Sequence, residues 1–337
     1  MNKEGRMNIG IASYGLYIPA GIETAGEVAA KANLSAEEVI ALGIKRKCLP
    51  SAEDQPVAMA VKAAKQAFKH AAGIQPVDVD VVIWTGEEYR DYIAQTASIR
   101  LQEETGCRKA WAFDLVGQGV TAILGLRVAR DLIIGDESVN SVLLAGGTRN
   151  LDLVDYANPD THFLLASSAS GGAMLLQRGC GQNRLVAVDF SVDEDMSDEI
   201  YVPGGGTENP FSPDNLDTEI MFYQTPHPGV VADYLESRWP RSLAETAKKV
   251  LSDLSPNYVA LRHLSPADRK AVLDCLSVDP WQSAPLDEWG CHGTNDVILS
   301  LDLGLKSDAV RDGSLVVLVS GGIGFTSAAA LIRWGSS

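Results

Sequence analysis

The stretch that decides the fold is AWAFDLVGQGVTAILGLRVARDLII, residues Ala110–Ile134. It begins with a short apolar segment typical of a strand, Ala110–Leu115, and continues through a glycine-containing turn, Val116–Gly119. Apolar residues then recur at the three- and four-residue spacing of a helix. Because the turn leads directly into a buried helix, its last residue lies at the helix N-terminus. Free N–H groups and the helix dipole there stabilise negative charge, including that of a thiolate.

The composition is that of a folded protein with a large core and an excess of negative charge, which does not exclude a local basic site for an anionic cofactor such as coenzyme A. The chain has 337 residues, of which 46% are apolar and 21% charged. A formal net charge of −16 argues against nucleic acid or an anionic membrane as a partner. The five cysteines are scattered without a CxxC pair, so neither a disulfide framework nor a metal site is predicted. No secretory signal or membrane span is predicted, and the expected compartment is the cytoplasm.

The rest of the chain alternates between strand-like and helix-like segments in two runs. This pattern predicts an α/β protein with two similar halves, residues 1–180 and 181–337. Trp239-Pro240 is expected to interrupt the helical region Pro226–Leu254. The other predicted helices are Ser35–Leu42, Gln55–Ala71, Gln95–Thr105, Pro266–Leu276 and Asp296–Leu303. The other predicted strands are Met7–Tyr14, Asp78–Trp84, Ser138–Gly146, Ala169–Gln177, Leu185–Val192, Tyr258–Arg262, Ser314–Val319 and Ala328–Trp334.

Several segments, in the same order along the chain, are similar to those of one protein family. They are LGIKRK at Leu42–Lys47, AFDL at Ala112–Leu115, SASGGAMLL at Ser168–Leu176, His263 after YVALR, and GGIGFTSAAALIRW at Gly321–Trp334. Together they resemble ketoacyl-ACP synthase III of the thiolase superfamily. The resemblance implies a thiolase fold, with two similar α/β halves in a five-layered αβαβα arrangement. It also implies a coenzyme A thioester or acyl carrier protein as substrate, no covalently bound cofactor, and dimerisation through the strand that carries AFDL.

The family's nucleophile is missing from this chain. The family has a cysteine five residues after the Asp of the strand, and this cysteine takes the acyl group. Here the fifth residue after Asp114 is Gly119. Cys107 precedes the strand and Cys291 would approach from another side, so neither is a convincing substitute. Gln118 is a further candidate, because in some polyketide condensing domains a Gln replaces the Cys and the domain only decarboxylates malonyl thioesters. The competing interpretation of Gln118 is a polar turn residue.

The other two catalytic members of the family are only partly matched. CHGTND stands where the family has His-Gly-Asn-Thr-Ser, so that His292 aligns, Thr294 takes the Asn position and Asn295 comes one residue late. A shift of one residue at a helix start turns a side chain by about 100 degrees, since a helix has 3.6 residues per turn. Asn295 is therefore not expected to face the pocket. His263, the counterpart of the catalytic His, is the member that stays in register.

A glutamate supplies a possible acid/base group. TGEEYRD at Thr85–Asp91 resembles the Gly-Thr-Glu-Ser-x-x-Asp segment of HMG-CoA synthase, a superfamily relative in which a Glu is general acid/base. Glu87 in that role needs a pocket that raises its pKa towards neutrality. A solvated loop with ion pairs is the alternative. The remaining candidates for contact with acyl-coenzyme A are Gly322, Gly324, Arg127 and Arg130, with surface charge as the competing interpretation of the two arginines.

Three functions follow from these matches and departures. The first is a subunit that lacks its own nucleophile within a heteromeric acyl-CoA condensing or acyltransferase complex. Its partner would be a second thiolase-like chain or a small OB-fold protein. The second is a self-sufficient, cysteine-free acyltransferase or decarboxylase that uses His263, with Glu87 as a further candidate for its acid/base group. The third is a non-catalytic module that binds acyl-CoA or acyl carrier protein.

Overall fold

A computed structural model describes residues 8–216 and 219–336. The strands are β1 Ile9–Tyr17, β2 Gly21–Thr24, β3 Arg46–Leu49, β4 Val81–Trp84, β5 Trp111–Asp114, β6 Ser141–Thr148, β7 Ser170–Arg178, β8 Gln182–Val192, β9 Tyr258–Leu261, β10 Leu315–Gly322 and β11 Thr326–Ser336. The α-helices are α1 Ala25–Ala32, α2 Ala36–Ala41, α3 Pro56–His70, α4 Ala97–Thr105, α5 Thr121–Gly135, α6 Pro228–Ser237, α7 Trp239–Leu251, α8 Pro266–Leu276 and α9 Asp296–Lys306.

Nine of the described strands form one mixed sheet in the order β5-β4-β6-β7-β1-β8-β11-β10-β9. The pairs β5/β4, β4/β6 and β10/β9 are parallel, and the strands between β6 and β10 are antiparallel. The two sides of the sheet meet at β1 and β8, which are joined by a single residue pair, Gly10 with Arg184. The sheet therefore consists of two parts that share only a narrow connection.

The two parts of the sheet enclose a central helical layer. Alternate residues of each strand point to opposite faces, so one strand contributes to two cores. Helices α5 and α9 pack in a central core with strand residues such as Val81 and Val316. The next residues along the chain, Val82 and Val317, lie in two outer cores, the first covered by α3 and α4 and the second by α7 and α8. The arrangement is helix, sheet, helix, sheet, helix, which confirms the five predicted layers.

The order of strands is the same in both parts. The order β4-β6-β7-β1 in the first matches β9-β10-β11-β8 in the second, and β5 is an additional edge strand of the first. The helices α3 and α7 precede corresponding strands, as do α5 and α9. This repetition has the form of a duplicated α/β unit. The division between residues 180 and 181 stays a prediction.

Local signals account for most element boundaries. Ser35 caps α2 in a capping box with Glu38, and α8 begins at Pro266, as predicted. The side chain of Ser265 caps α8. The helical region before β9 is split between Ser237 and Trp239, next to the proline that was expected to interrupt it. The predicted opening strand Met7–Tyr14 includes Met7, which lies outside the described residues. From Ile9 onward a strand is present, and it runs on to Tyr17.

Candidate active site

The turn between β5 and α5 is anchored by the last residue of β5. Asp114 accepts hydrogen bonds from the backbone N–H groups of Ala97 (3.0 Å) and Ser98 (2.9 Å), and it forms an ion pair with Arg90. The Asp of the AFDL segment therefore caps α4. Gln118 follows in the left-handed region, with φ +55°, and its carbonyl oxygen accepts from Thr121 Oγ1 (2.6 Å). These contacts fix the positions of Gln118 and Gly119 in the turn.

Gly119 occupies a place with no room for a side chain. Its carbonyl oxygen accepts from Ser320 Oγ at 2.7 Å, which ties the turn to β10. A Cβ atom placed on Gly119 would lie 2.3 Å from the carbonyl oxygen of Gly321. That distance is well inside van der Waals contact, so a cysteine at this position would require the backbone of β10 to move.

Glu87 is the buried acid of the site. It lies just beyond β4 and is 1% exposed. Its Oε1 accepts a hydrogen bond from the backbone N–H of Thr294 at 2.9 Å, whereas its Oε2 has no protein partner. Burial raises the pKa of this carboxyl to about 7, because the Thr294 hydrogen bond and the positive charge of Arg262 offset the loss of hydration only in part. Near neutral pH, Glu87 can therefore take up or release a proton.

Thr294 and Asn295 both have structural contacts that turn them away from the cavity. Thr294 Oγ1 accepts from the backbone N–H of Ala122 at 2.6 Å and so satisfies a free donor in the first turn of α5. Asn295 Nδ2 donates to Gly146 O (3.3 Å) and Ser170 Oγ (3.1 Å), linking β6 to β7. Thr294 contributes to the site through its backbone, and Asn295 lies to one side.

His263 does not share a space with Glu87. Its Nε2 lies 2.9 Å from Gly43 O, and its backbone N–H donates to Asp296 Oδ2 at 3.1 Å. Burial lowers the pKa of its imidazole despite the nearby Asp296 carboxylate. The residue beside Glu87 at the end of β9 is instead Arg262. His263 lines the larger of two adjoining spaces, whereas Glu87 lines the smaller one, so a catalytic role for His263 remains a prediction. Strand alternation sends adjacent side chains in different directions.

Asp296 holds the two chain segments below the cavity together. One carboxylate oxygen accepts from the backbone N–H of His292 (2.7 Å) and the other from that of His263 (3.1 Å). The Cys291 thiol lies 3.5 Å from the second oxygen. Burial and this carboxylate raise the pKa of Cys291 to about 12, so the group is a thiol and a poor nucleophile. His292 is fully buried, with Nδ1 3.1 Å from Ala169 O and Nε2 without a partner.

Two adjoining spaces make up the candidate active site. The first, which we call the main cavity, has a volume of about 390 Å³ and is lined largely by apolar residues, among them Phe163, Leu235 and Trp239. The second, which we call the inner pocket, has a volume of about 60 Å³, and Glu87 and Gln118 line it. The walls common to both are Leu164, Ser167, Arg262, Cys291, Gly322 and Ile323. This arrangement suits a ligand with an apolar part and a small reacting end.

The residues predicted to contact acyl-coenzyme A do not all lie at the candidate site. Gly322 lines both spaces, whereas Gly324, in the turn after β10, lines neither. Arg127 and Arg130 lie on α5 and both pair with Asp131, at 2.6 and 3.1 Å. They do not line the candidate site, so the competing interpretation as surface charge describes them better. Cys107 is buried before β5, at the opposite end of that strand from the turn.

Three groups of the site were not predicted from the sequence. Arg262 stands next to His263, and the family resemblance marks only the histidine. Asp296 is the last residue of the CHGTND segment and was not predicted to have a role of its own. An acidic residue at the first position of a predicted helix is nevertheless a recognisable sign of a helix N-terminus. Tyr223 lines the inner pocket from a loop and is 7% exposed, and no local pattern marks it.

Metal sites and membrane spans are both absent from residues 8–216 and 219–336. No group of three or more His, Cys, Asp or Glu side chains there is placed to hold a metal ion. None of the helices in this part of the chain is long and apolar enough to cross a membrane.

Comparison with known proteins points to one family. The family model of 3-oxoacyl-[acyl-carrier-protein] synthase III matches residues 113–194, which run from β5 to the end of β8 and include the turn at Gly119. The β-ketoacyl-[acyl-carrier-protein] synthase III of Synechocystis is 25% identical over 297 residues, which cover 87% of each chain. The chain is thus similar to these synthases over most of its length.

Solved structures share the whole fold. The 3-oxoacyl-[acyl-carrier-protein] synthase III of Aquifex aeolicus aligns with a TM-score of 0.82 at 19% identity, covering 97% of this chain and 100% of the other. A cysteine-to-serine variant of Xanthomonas campestris OleA, with bound lauric acid and lauroyl-CoA, aligns with a TM-score of 0.79 at 17% identity, over 97% and 99% of the two chains. The predicted thiolase-like fold is therefore confirmed.

Proposed function

We propose that this chain is a thiolase-superfamily protein of the ketoacyl synthase III type that binds an acyl thioester and acts on it without a covalent cysteinyl intermediate. The observation that carries the proposal is Glu87, a buried acid with one free oxygen, a pKa of about 7 and a pocket beside it. A binding surface alone has no need of such a group, since burying an ionisable carboxyl costs stability.

Direct acyl transfer is the reaction that this geometry supports best. Thr294 holds Glu87 Oε1, which leaves Oε2 free to accept a proton from the hydroxyl or amine of an acceptor. The acceptor atom then bonds to the thioester carbonyl carbon, and the carbon–sulfur bond breaks. The departing thiolate takes the proton from Glu87, which restores the carboxylate. Neither Gly119 nor the Cys291 thiol is required in this sequence of steps.

The carrier of the acyl group is coenzyme A or an acyl carrier protein in this proposal. The main cavity, with its apolar walls of Phe163, Leu235 and Trp239, would take the acyl chain or the pantetheine arm. Bound lauroyl-CoA in the similar OleA structure supports the choice of an acyl thioester. The cytoplasm remains the compartment that the sequence predicts.

A heteromeric subunit is the second candidate, and the exposed edge of the sheet favours it. Strand β5 has only β4 as a neighbour among the described strands, and Trp111 on it is half exposed. Ile93 and Ile99 add apolar surface nearby. Such an edge is suited to pairing with another strand, either from a second copy of this chain or from a cysteine-bearing relative. A small OB-fold protein remains a further possible partner.

The decisive experiment compares Glu87→Gln with Glu88→Gln. The two changes remove the same charge from adjacent residues, but Glu88 is exposed. Thiol release would be followed with acetyl-, butyryl-, lauroyl- and malonyl-CoA and a panel of amine and alcohol acceptors. We expect Glu87→Gln to lose about 100-fold or more in rate, since general acid–base catalysis contributes roughly that much, and Glu88→Gln to retain the rate.

The possible results separate the candidate functions. Equal rates for Glu87→Gln and the wild type would contradict the acid/base role. Release of carbon dioxide from malonyl-CoA without transfer would indicate a decarboxylase. Native mass spectrometry of the untagged protein would detect a cysteine-bearing partner chain. Turnover that appears only when this partner is present would identify the protein as a subunit of a complex. Tight binding with no turnover under any of these conditions would identify a binding module.

A further inference from the structure

We propose that Arg262 determines the specificity of this site by binding the carboxylate of a carboxylated acyl group. The inference rests on the proposed function, because it takes the cavity to be an acyl-thioester site, and it names the class of acyl group. It concerns a residue that directly follows β9 and lines both the main cavity and the inner pocket.

The guanidinium of Arg262 is held in place by uncharged groups. Its Nε donates to His263 O at 3.2 Å, its Nη1 donates to Gly321 O, and its Nη2 lies 3.7 Å from Cys291 Sγ. The guanidinium carbon lies 5.4 Å from the centre of the Trp239 ring. These contacts use three of the five N–H donors of an arginine and fix the plane of the fork. Two N–H donors remain.

No carboxylate pairs directly with this cation among the described residues. None of the Asp or Glu oxygens in that part of the chain lies within 4.0 Å of an Arg262 nitrogen, although Glu87 senses its charge at longer range. Removing a charge from water is costly unless an opposite charge or strong acceptors replace the water. A half-buried arginine with spare donors and no close counter-ion is therefore suited to an anion that arrives with a ligand.

The position of Arg262 indicates which part of the ligand is anionic. The cation lies between the apolar main cavity and the inner pocket of about 60 Å³, which has room for a few water-sized groups. Leu164 and Ile323 flank it in both spaces. A carrier's phosphates are too bulky for the inner pocket, whereas a carboxylate at the end of an acyl chain fits it.

An alternative explanation is that Arg262 serves only to stabilise the negative charge of ionised Glu87. The two accounts predict different binding behaviour. If Arg262 only tunes Glu87, replacing it changes the affinity for ligands with and without a carboxylate by the same factor. If Arg262 binds a carboxylate, replacing it lowers the affinity for carboxylated ligands alone.

The test is a binding measurement that needs no turnover. Isothermal titration would compare the carboxypropyl thioether of coenzyme A with its methylpentyl thioether, which replaces the carboxylate by an isopropyl group of the same shape. Neither compound has a thioester bond to break. The variants are Arg262→Gln and Arg262→Lys. The matched control is Arg241→Gln, which removes an exposed arginine of α7 outside both spaces.

The wild type and Arg241→Gln are expected to prefer the carboxylated thioether by about tenfold to hundredfold, the range for hydrogen bonds to a charged group. Arg262→Gln is expected to lose that preference, and Arg262→Lys to keep part of it because the charge remains. Equal binding of both thioethers by the wild type would overturn the inference about Arg262 and leave the proposed function standing. Failure of both thioethers to bind would overturn the inference and the proposed function together. A preference that survives in Arg262→Gln would overturn the inference alone.

Discussion

At the scale of single residues, the chemistry of this protein is concentrated in one carboxyl group. Glu87 combines a hydrogen bond from Thr294 on one oxygen with an unpaired second oxygen. The same burial that prepares it for proton transfer places a cost on the folded protein whenever the group is ionised. Function and stability are therefore linked through the protonation state of this residue.

This linkage predicts a pH dependence of stability. The pKa of Glu87 is about 7 in the folded protein against an ordinary value of 4.5, so between these values the folded state holds a proton that the unfolded chain has released. The free energy of unfolding should fall as pH rises through this interval and then level off. A shift of this size corresponds to about 3 kcal/mol at most, at 1.36 kcal/mol for each pKa unit.

Replacing the group should remove this contribution. Urea unfolding of Glu87→Gln is expected to show no such loss between pH 5 and pH 8, so the variant gains stability relative to the wild type as pH rises. Glu88→Gln, which removes an exposed carboxyl, serves as the control and should follow the wild type. Parallel pH curves for Glu87→Gln and the wild type would show that Glu87 does not titrate in this interval.

Spacing along the chain carried information about some single residues. The one-residue displacement of Asn295 indicated that it would not face the pocket, and its amide does bind to Gly146 and Ser170 instead. The choice between Arg262 and His263 could not be made in the same way. Both lie just beyond β9, where the alternation of the strand gives way to a loop. Long-range contacts with Gly43 and Gly321 fix their directions.

At the scale of elements, the strand that carries the AFDL segment also forms the edge of the sheet. Trp111 is 50% exposed on β5, and it stacks on Phe113 with ring centres 5.2 Å apart. An edge strand with an exposed aromatic side chain can pair with a strand of another chain. The dimer implied by the family resemblance therefore remains a prediction with a specific location on the molecule.

Trp111→Glu should separate such a dimer, because the change places a charge in the paired edge. Light scattering after size-exclusion chromatography is expected to give a dimer for the wild type and a monomer for this variant. Trp281→Glu alters a tryptophan that is 66% exposed, away from β5, and should remain dimeric. A monomeric wild type at micromolar concentration, or a dimeric Trp111→Glu variant, would contradict the prediction.

Element boundaries were predictable where side chains mark them. The predicted start of α8 at Pro266 is correct, with Ser265 as its cap, and β9 was predicted with an error of one residue. Strand ends without such markers were less accurate. β11 begins at Thr326 and not at Ala328, because its pairing with β8 and β10 continues into polar residues. The ends of such strands are set by pairing with neighbouring strands that are distant in sequence.

At the scale of the whole molecule, the net negative charge of the protein repels the anionic acyl carriers that the proposed function requires. The net charge is −16, and Glu236 and Asp268 contribute carboxylates to the lining of the main cavity. Salt screens repulsion between like charges. The strand and helix patterns along the chain made the α/β class and its two similar halves predictable, whereas the five layers were implied by the family resemblance. The narrow connection at Gly10 and Arg184 was not predictable, since a single pairing leaves no periodic signal.

Affinity for a coenzyme A compound should therefore increase with ionic strength. Titration of the methylpentyl thioether of coenzyme A is expected to give a severalfold lower Kd at about 0.2 M salt than at about 0.02 M, where the Debye length is about threefold longer. The methylpentyl thioether of pantetheine, which has no phosphate groups, is the control and should bind equally under both conditions. Weaker binding of the coenzyme A compound at the higher ionic strength would point to a basic phosphate site instead.

The close approach of Gly119 to the Gly321 carbonyl also bears on evolution. The glycine codons GGU and GGC are one nucleotide from a cysteine codon, so from either of them a single mutation places a cysteine at position 119. Each such mutant meets an oxygen 2.3 Å from its new Cβ. Selection can keep the cysteine only in a chain whose β10 backbone has already moved, and that movement brings no advantage by itself. The absence of a side chain at Gly119 is thus maintained by its neighbour, the carbonyl group of Gly321.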